Sequence, residues 1–222
     1  MRLRSRNDQE KAERREALLN AAQTIFFKKG FQNTSMDDIA NEAGLSRALL
    51  YVYFKGKKDI YRSLRIRSVE ALRDRMLEQV DTSAPGIDRV KQVGLAFYDF
   101  YQNDKNHFDC LSLDISLNNQ SKSLTHQTKH DPESMAVEAE TMEIMVNSLE
   151  AGIKDGSIDE ARVPNSLQTA MFLRGSLHGV ILLQDEDGSA ILDAADINRD
   201  ELVHYALDKV TDTLRPTRRS AK

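Results

Sequence analysis

Residues 34–60 read TSMDDIANEAGLSRALLYVYFKGKKDI. Two short helices joined by a tight turn are written into this stretch. Ser35 with Asp38 three residues on is a capping-box start, and Met36, Ile39, Ala40 and Ala43 follow on one face. Gly44 stops that helix, Leu45 bridges, and Ser46 opens a second helix over residues 47–54 that ends before Gly56. A pair of helices with this spacing forms a helix-turn-helix, in which the first crosses a duplex backbone and the second enters the major groove. Ile39, Ala40, Ala43, Leu45, Leu50 and Phe54 hold the pair to the helix before it. Arg47, Ala48, Leu49, Tyr51, Val52 and Tyr53 are left nearer the groove.

Charge supports an anionic partner for this segment. Arg47, Lys57 and Lys58 stand at helix starts, where the macrodipole is positive and disfavours a cation. They make sense there if an anion sits with them, against the plainer reading of solvated surface cations. Residues 1–67 carry 15 Lys/Arg and 8 Asp/Glu, whereas the rest of the chain carries 16 and 27, within a net charge of −4 over 222 residues. A basic head on an acidic body places the polyanion at the head. Arg47 suits a bidentate bond to guanine, and Leu49 suits a thymine methyl. Arg2, Arg4 and Arg6 are read either as an arm for the adjacent minor groove or as a tail of no specific role.

The order of an apolar helix, Gly30-Phe31, Thr34-Ser35, Ile39-Ala40, Ala43-Gly44-Leu45-Ser46, Leu49-Leu50-Tyr51, Tyr53-Phe54, Lys57 and Ile60 resembles the DNA-binding head of the TetR family of ligand-responsive transcriptional repressors. The match covers about residues 11–60. By position, the resemblance implies phosphate contacts at Thr34, Ser35, Tyr51, Tyr53 and Lys57, and base reading at Arg47, Ala48 and Leu49. Tyr53 departs from the histidine common at its place, which keeps a donor but removes pH sensitivity. The resemblance also implies repression of transcription, an operator of palindromic double-stranded DNA, and an all-helical carboxyl-terminal body that dimerises and binds an effector.

Outward from the head, the chain reads as all-α, about nine helices. The expected organisation is a three-helix DNA-binding head over 1–56, a connecting helix over 57–80, and an effector-binding and dimerisation body over 81–222. The first helix runs from about residue 10 to the stop at Gly30. The connecting helix is roughly 36 Å long at the standard rise. Body helices follow over 87–104, 108–119, 132–155, from Pro164 to 184, and over 199–214, with a polar loop at 119–131 and an acidic connection at 185–198. Leu111, Leu113, Ile115 and Leu117 alternate as a strand does, but a lone strand would have no partner, so a helix is expected.

Two features of the body point to partners. The helix from Ser166 to Leu183 is apolar nearly all round, and Gly175 and Gly179 permit a close approach. With the last helix it is expected to form a four-helix interface with a second copy, through Gly175, Gly179, Leu182, Val203, Leu207 and Val210. Burial within one protomer is the other reading. Phe97, Tyr98, Phe100, Tyr101 and Phe108 hold five of the chain's aromatics. Phe97, Tyr101 and Phe108, with Met135, Met142, Met145 and Phe172, suit a pocket for an apolar or aromatic small molecule, or ordinary core packing. A protein partner for the body is the alternative to a small ligand.

No catalytic constellation is present, and no cofactor is expected. His126 and His130 stand one helical turn apart beside Asp131, but in the polar loop and without a zincin glutamate, so no metal site is expected. Cys110 alone forms no internal disulfide and is expected as a buried structural thiol rather than a redox sensor. No apolar run reaches the length of a membrane span, and residues 1–6 lead into a charged helix rather than a signal core. A cytoplasmic location is expected.

Overall fold

A computed structural model describes residues 2–117, 132–184 and 186–217. Ten α-helices and one short 3-10 turn make up the described residues, with no strand among them. The helices are α1 (Arg2–Lys29), α2 (Met36–Glu42), α3 (Arg47–Tyr53), α4 (Lys57–Gln79), α5 (Gly86–Asn103), α6 (Lys105–Leu117), α7 (Pro132–Asp155), α8 (Ser166–Leu182), α9 (Glu186–Ala194) and α10 (Arg199–Leu214). Packing divides the chain into two compact units. One draws on Met1–Ser68 and Asp109–Ser134, the other on Val69–Phe108 and Met135–Lys222.

The first unit is organised around the helix-turn-helix. Leu18, Leu19, Ala22 and Phe26 of α1 meet Ile39 and Ala40 of α2, Leu50 of α3, and Ile60, Tyr61 and Leu64 of α4, all buried. Phe31 lies between Phe26 and Tyr61, with ring centroids 5.1 and 5.4 Å away. The helix ends follow the local sequence. Gly30 takes φ 76° and its N–H donates to the Phe26 carbonyl, ending α1. At the end of α2, Gly44 takes φ 63° and donates to Asn41, while the Leu45 N–H donates to Ala40, a Schellman arrangement.

Polar groups of the same unit tie α1 to α4 and α6. The Arg67 guanidinium donates to Glu16, Asn20 and Gln23, and the Gln23 amide donates to Cys110 Sγ at 3.6 Å. Burial pushes the Cys110 thiol up to about 11, so it stays protonated and unreactive at neutral pH.

In the second unit α5, α8 and α10 pack on one another. Gly94 of α5 faces Leu207 of α10 so closely that a Cβ there would lie 2.4 Å from Leu207 Cδ2. Val203 and Leu207 of α10 and Ala170, Leu173, Leu177 and Ile181 of α8 are buried in this core. Polar contacts pin its rim: Arg75 pairs with Asp99 and Asp104, and the Tyr98 hydroxyl donates to Asp200 at 2.6 Å.

Three expectations need correction. First, α1 begins at Arg2 rather than near residue 10, so Arg2, Arg4 and Arg6, read as either an arm or a tail, are helical backbone. The segment 2–16 contains no Pro or Gly and is rich in Arg, Glu and Lys, so nothing stops the helix from extending backwards. Second, the connection expected at 185–198 contains α9. Its Leu192 is buried, and a single internal glycine costs only about 1 kcal/mol. Third, α6 starts at Lys105, not Phe108. The alternating segment 111–117 is helical, as the missing partner strand requires. His126, His130 and Asp131 lie outside the described residues.

Candidate nucleic-acid interface

The second helix of the motif, α3, is held by its inner face and open on its outer one. Ser46 caps it, its hydroxyl accepting from the Leu49 N–H at 3.2 Å. Leu50 and Phe54 are buried, which turns Arg47, Ala48, Tyr51 and Val52 outward. Tyr51 is 46% and Val52 71% exposed, so an aromatic and an aliphatic side chain stand in water beside a guanidinium. Leu49 is half-buried, and Tyr53 is half-buried against the core of the head. Arg47 Nη1 pairs with Asp37 Oδ2 of α2 at 2.7 Å, and its guanidinium lies 5.7 Å from the Tyr51 ring centroid. Contact with the Tyr51 side chain, then the charge of Asp37, holds the Arg47 pKa above its ordinary value. Nothing in the local sequence marked Asp37 as Arg47's partner, because the two stand ten positions apart.

The residues read as phosphate grips divide differently. Thr34 is buried and its hydroxyl donates to the Gly30 carbonyl at 2.8 Å, so the side chain closes the end of α1. Ser35 is exposed, but its hydroxyl is committed to the capping box: it donates to Asp38 Oδ2 at 2.7 Å and accepts from the Asp38 N–H at 3.1 Å. Lys29 reaches the same carboxylate at 2.6 Å, and these contacts hold Asp38 well below the usual carboxylate range. The Lys57 ammonium donates to the carbonyls of Phe31, Gln32 and Thr34 and lies 4.5 Å from the Phe31 ring centroid. It therefore clamps the loop between α1 and α2, and burial lowers its pKa. A spacing rule finds Lys57 at a helix start but not the carbonyls folded over it.

The second unit brings together part of the expected pocket. Phe97 of α5 and Phe108 of α6 are buried with ring centroids 5.5 Å apart, and Tyr101 meets Phe108 edge-on at 4.9 Å. Sequence reasoning missed His178 of α8, which stacks on Phe108 at 5.4 Å and lies 5.9 Å from Phe97. Met145 is buried and Met142 half-buried. Met135 and Phe172 are 54% and 64% exposed. Phe172 precedes inward Leu173 on α8, and one helical position is enough to turn it to the surface.

The expected dimer residues also divide. Gly175, Gly179 and Leu182 lie on the exposed side of α8, with nothing within 4 Å of a Cβ built at either glycine. Val210 is half-buried. Val203 and Leu207 are interior residues of the protomer and cannot be offered to a partner, because α10 spends that face on α5 and α8.

Residues 18–64 match the family model of bacterial regulatory proteins, tetR family. The chain is 34% identical over 92 residues to the transcriptional activator FasR of Mycolicibacterium smegmatis, 41% of this chain and 42% of that protein. It is 39% identical over 59 residues to the transcriptional repressor BepR of Brucella suis, 27% of this chain and 28% of that one. The matches thus span less than half the length of these relatives. The fold is shared more widely. It is similar to FadR of Bacillus subtilis, solved in complex with stearoyl-CoA, at TM-score 0.68 and 18% identity over 90% of this chain and 99% of that one. It is also similar to the TetR family regulator PfmR of Thermus thermophilus, at TM-score 0.64 and 18% identity over 90% and 99%. A helix-turn-helix with an open outer face and a matching family model at that segment agree: residues 18–64 form a head similar to that of the bacterial regulatory proteins of the tetR family, in a chain whose all-helical fold is shared with FadR and PfmR.

Proposed function

We propose that the chain is a sequence-specific transcriptional regulator that binds a palindromic operator as a homodimer and is released from it by a small apolar ligand. The family whose model matches residues 18–64 is one of bacterial regulatory proteins. The observation that carries the reading is the outer face of α3. Arg47, Ala48, Tyr51 and Val52 are offered outward on a helix whose other side is locked into the head core. A guanidinium beside apolar groups suits base edges in a major groove, where guanine acceptors alternate with thymine methyls. Thr34, Ser35 and Lys57 act by shaping the loop between α1 and α2 that seats the helix-turn-helix, and Tyr51 is the open donor.

The second copy is supported by α8. Its inward stripe is matched by an outward apolar side with Leu167, Met171, Phe172 and Leu183, each more than half exposed, beside Gly175 and Gly179. A helix apolar on both sides is stable when both are covered. Two heads on a two-fold axis then meet half-sites one turn apart. The ligand is supported by the Phe97–Tyr101–Phe108 cluster, and FadR, which shares the fold, holds an acyl thioester. Repression is the simplest sign of regulation, since a dimer seated on a promoter blocks access by occupancy alone.

The test is fluorescence anisotropy of the full chain on duplexes from the region upstream of its own gene. Specific binding that weakens steeply between about 50 and about 200 mM salt is expected. Indifference to duplex DNA at the lower salt would sink the reading.

A further inference from the structure

His178 has a ring nitrogen that the fold buries and leaves without a partner. Nε2 has no hydrogen bond, although it is shielded from solvent. The two rings against it do not substitute for one. Phe108 is stacked, with 19° between the planes, and Phe97 is tilted at 41°. The nitrogen lone pair or N–H lies in the imidazole plane, so it runs along the Phe108 face rather than into it. A buried, unpaired donor or acceptor is rare in folded proteins and costs stability that selection ordinarily removes. Burial, then nearby Arg174, lowers the imidazole pKa, so the ring is neutral.

We infer that Nε2 of His178 is the polar anchor of the ligand site, taking the hydroxyl of an otherwise apolar, ring-bearing ligand against Phe97, Tyr101 and Phe108. This rests on the proposed ligand-controlled regulation and names the ligand's chemistry. A hydroxyl fits because it both donates and accepts, so it satisfies either tautomer of a neutral imidazole. A carboxylate fits less well, since binding it would draw a proton onto a ring that burial keeps uncharged. The aromatic walls supply the apolar contact, and one convergent polar group fixes orientation.

The probes are 2-naphthol and naphthalene, titrated by thermal shift and by isothermal calorimetry into the full chain. 2-Naphthol is expected to raise Tm in a saturable way and to bind about tenfold tighter than naphthalene, the weight of one buried hydrogen bond. In His178→Phe that preference is expected to vanish. Since this variant alters the core, the wild type supplies an independent readout: the His178 imidazole nitrogen resonances should shift on adding 2-naphthol and not on adding naphthalene. Equal binding of the two probes, no saturable binding of either, or unchanged imidazole resonances would each overturn the assignment and leave Nε2 to a buried water. 2-Naphthoate binding better than 2-naphthol would overturn the neutral anchor. DNA binding is measured on the same samples: a chain that takes 2-naphthol at His178 but ignores duplex DNA loses the regulator reading and keeps this one.

Discussion

At the scale of the residue, Arg47 and His178 define opposite uses of a nitrogen. Arg47 is exposed and latched to Asp37 by an ion pair in which both side chains are more than half exposed. Exposed pairs contribute roughly 0–1 kcal/mol, so a base edge can displace Asp37 at little cost. Arg47→Ala should therefore weaken operator binding by about 1–3 kcal/mol and relax specificity at one base position, read by anisotropy on a set of single-base operator variants. An unchanged specificity profile would remove Arg47 from the reading surface. His178 is half-buried with its Nε2 shielded from solvent, and burial holds its pKa below the ordinary value of about 6.5. As pH falls through that ordinary value, the unfolded chain takes up a proton that the folded chain resists. Stability is thus intact above about pH 6.5 and declines below it until the folded imidazole itself protonates. Urea midpoints of the wild type should fall between about pH 7 and pH 5 by more than those of His178→Phe, with the difference between the two curves belonging to this ring. Parallel curves would place the imidazole in water.

Among the elements, glycines show where a helix must be smooth. A Cβ on Gly86 at the start of α5 would sit 1.9 Å from the backbone nitrogen of Gly152 in α7, closer than backbone atoms can yield. Gly86→Ala should cost about 1–3 kcal/mol and lower Tm, the price of prying two helices apart. A Tm equal to wild type would mean that α5 and α7 do not cross so closely. Much of this layer was legible in the sequence. Ser35, Asp38 and Ser46 cap where their spacing says they should, and Gly30 and Gly44 stop their helices through the left-handed conformation only glycine takes easily. Such signals are local. What the sequence hid was set by contacts between distant residues. Lys57 looked like a phosphate grip, but its ammonium closes on carbonyls 23 to 26 positions earlier. Val203 and Leu207 looked like interface, yet they are the core against α5 and α8. Periodicity finds an apolar face and cannot say which neighbour covers it. His178 stood in an apolar helix with no motif around it, and only the fold brings Phe97 and Phe108 to its ring.

For the whole molecule, if the chain binds its operator as the proposed dimer, affinity for DNA should depend on two heads acting together, and α8 offers the place to test that. Phe172 is 64% exposed with Met171 beside it at 62%, on the side of α8 opposite the buried Leu173 and Leu177. Because Phe172 contributes little to the protomer's own core, Phe172→Glu should leave the helical content and the single-chain fold intact. In a dimer the same carboxylate would meet its symmetry mate or an apolar surface, and a charge buried without a partner is costly. Sedimentation velocity should then show the wild type as a dimer and Phe172→Glu as a single chain at the same concentration. Operator affinity should drop on the order of a hundredfold, since linking two binding modules multiplies affinity without any new contact. Affinity for a single half-site should stay at its wild-type value, because α3 and its caps are untouched. The half-site control separates the two layers of the argument. A variant that remains dimeric would move the interface off this side of α8 and leave the head's chemistry standing, whereas a single-chain variant with undiminished operator affinity would show that one head suffices and that no second copy need be present on the DNA.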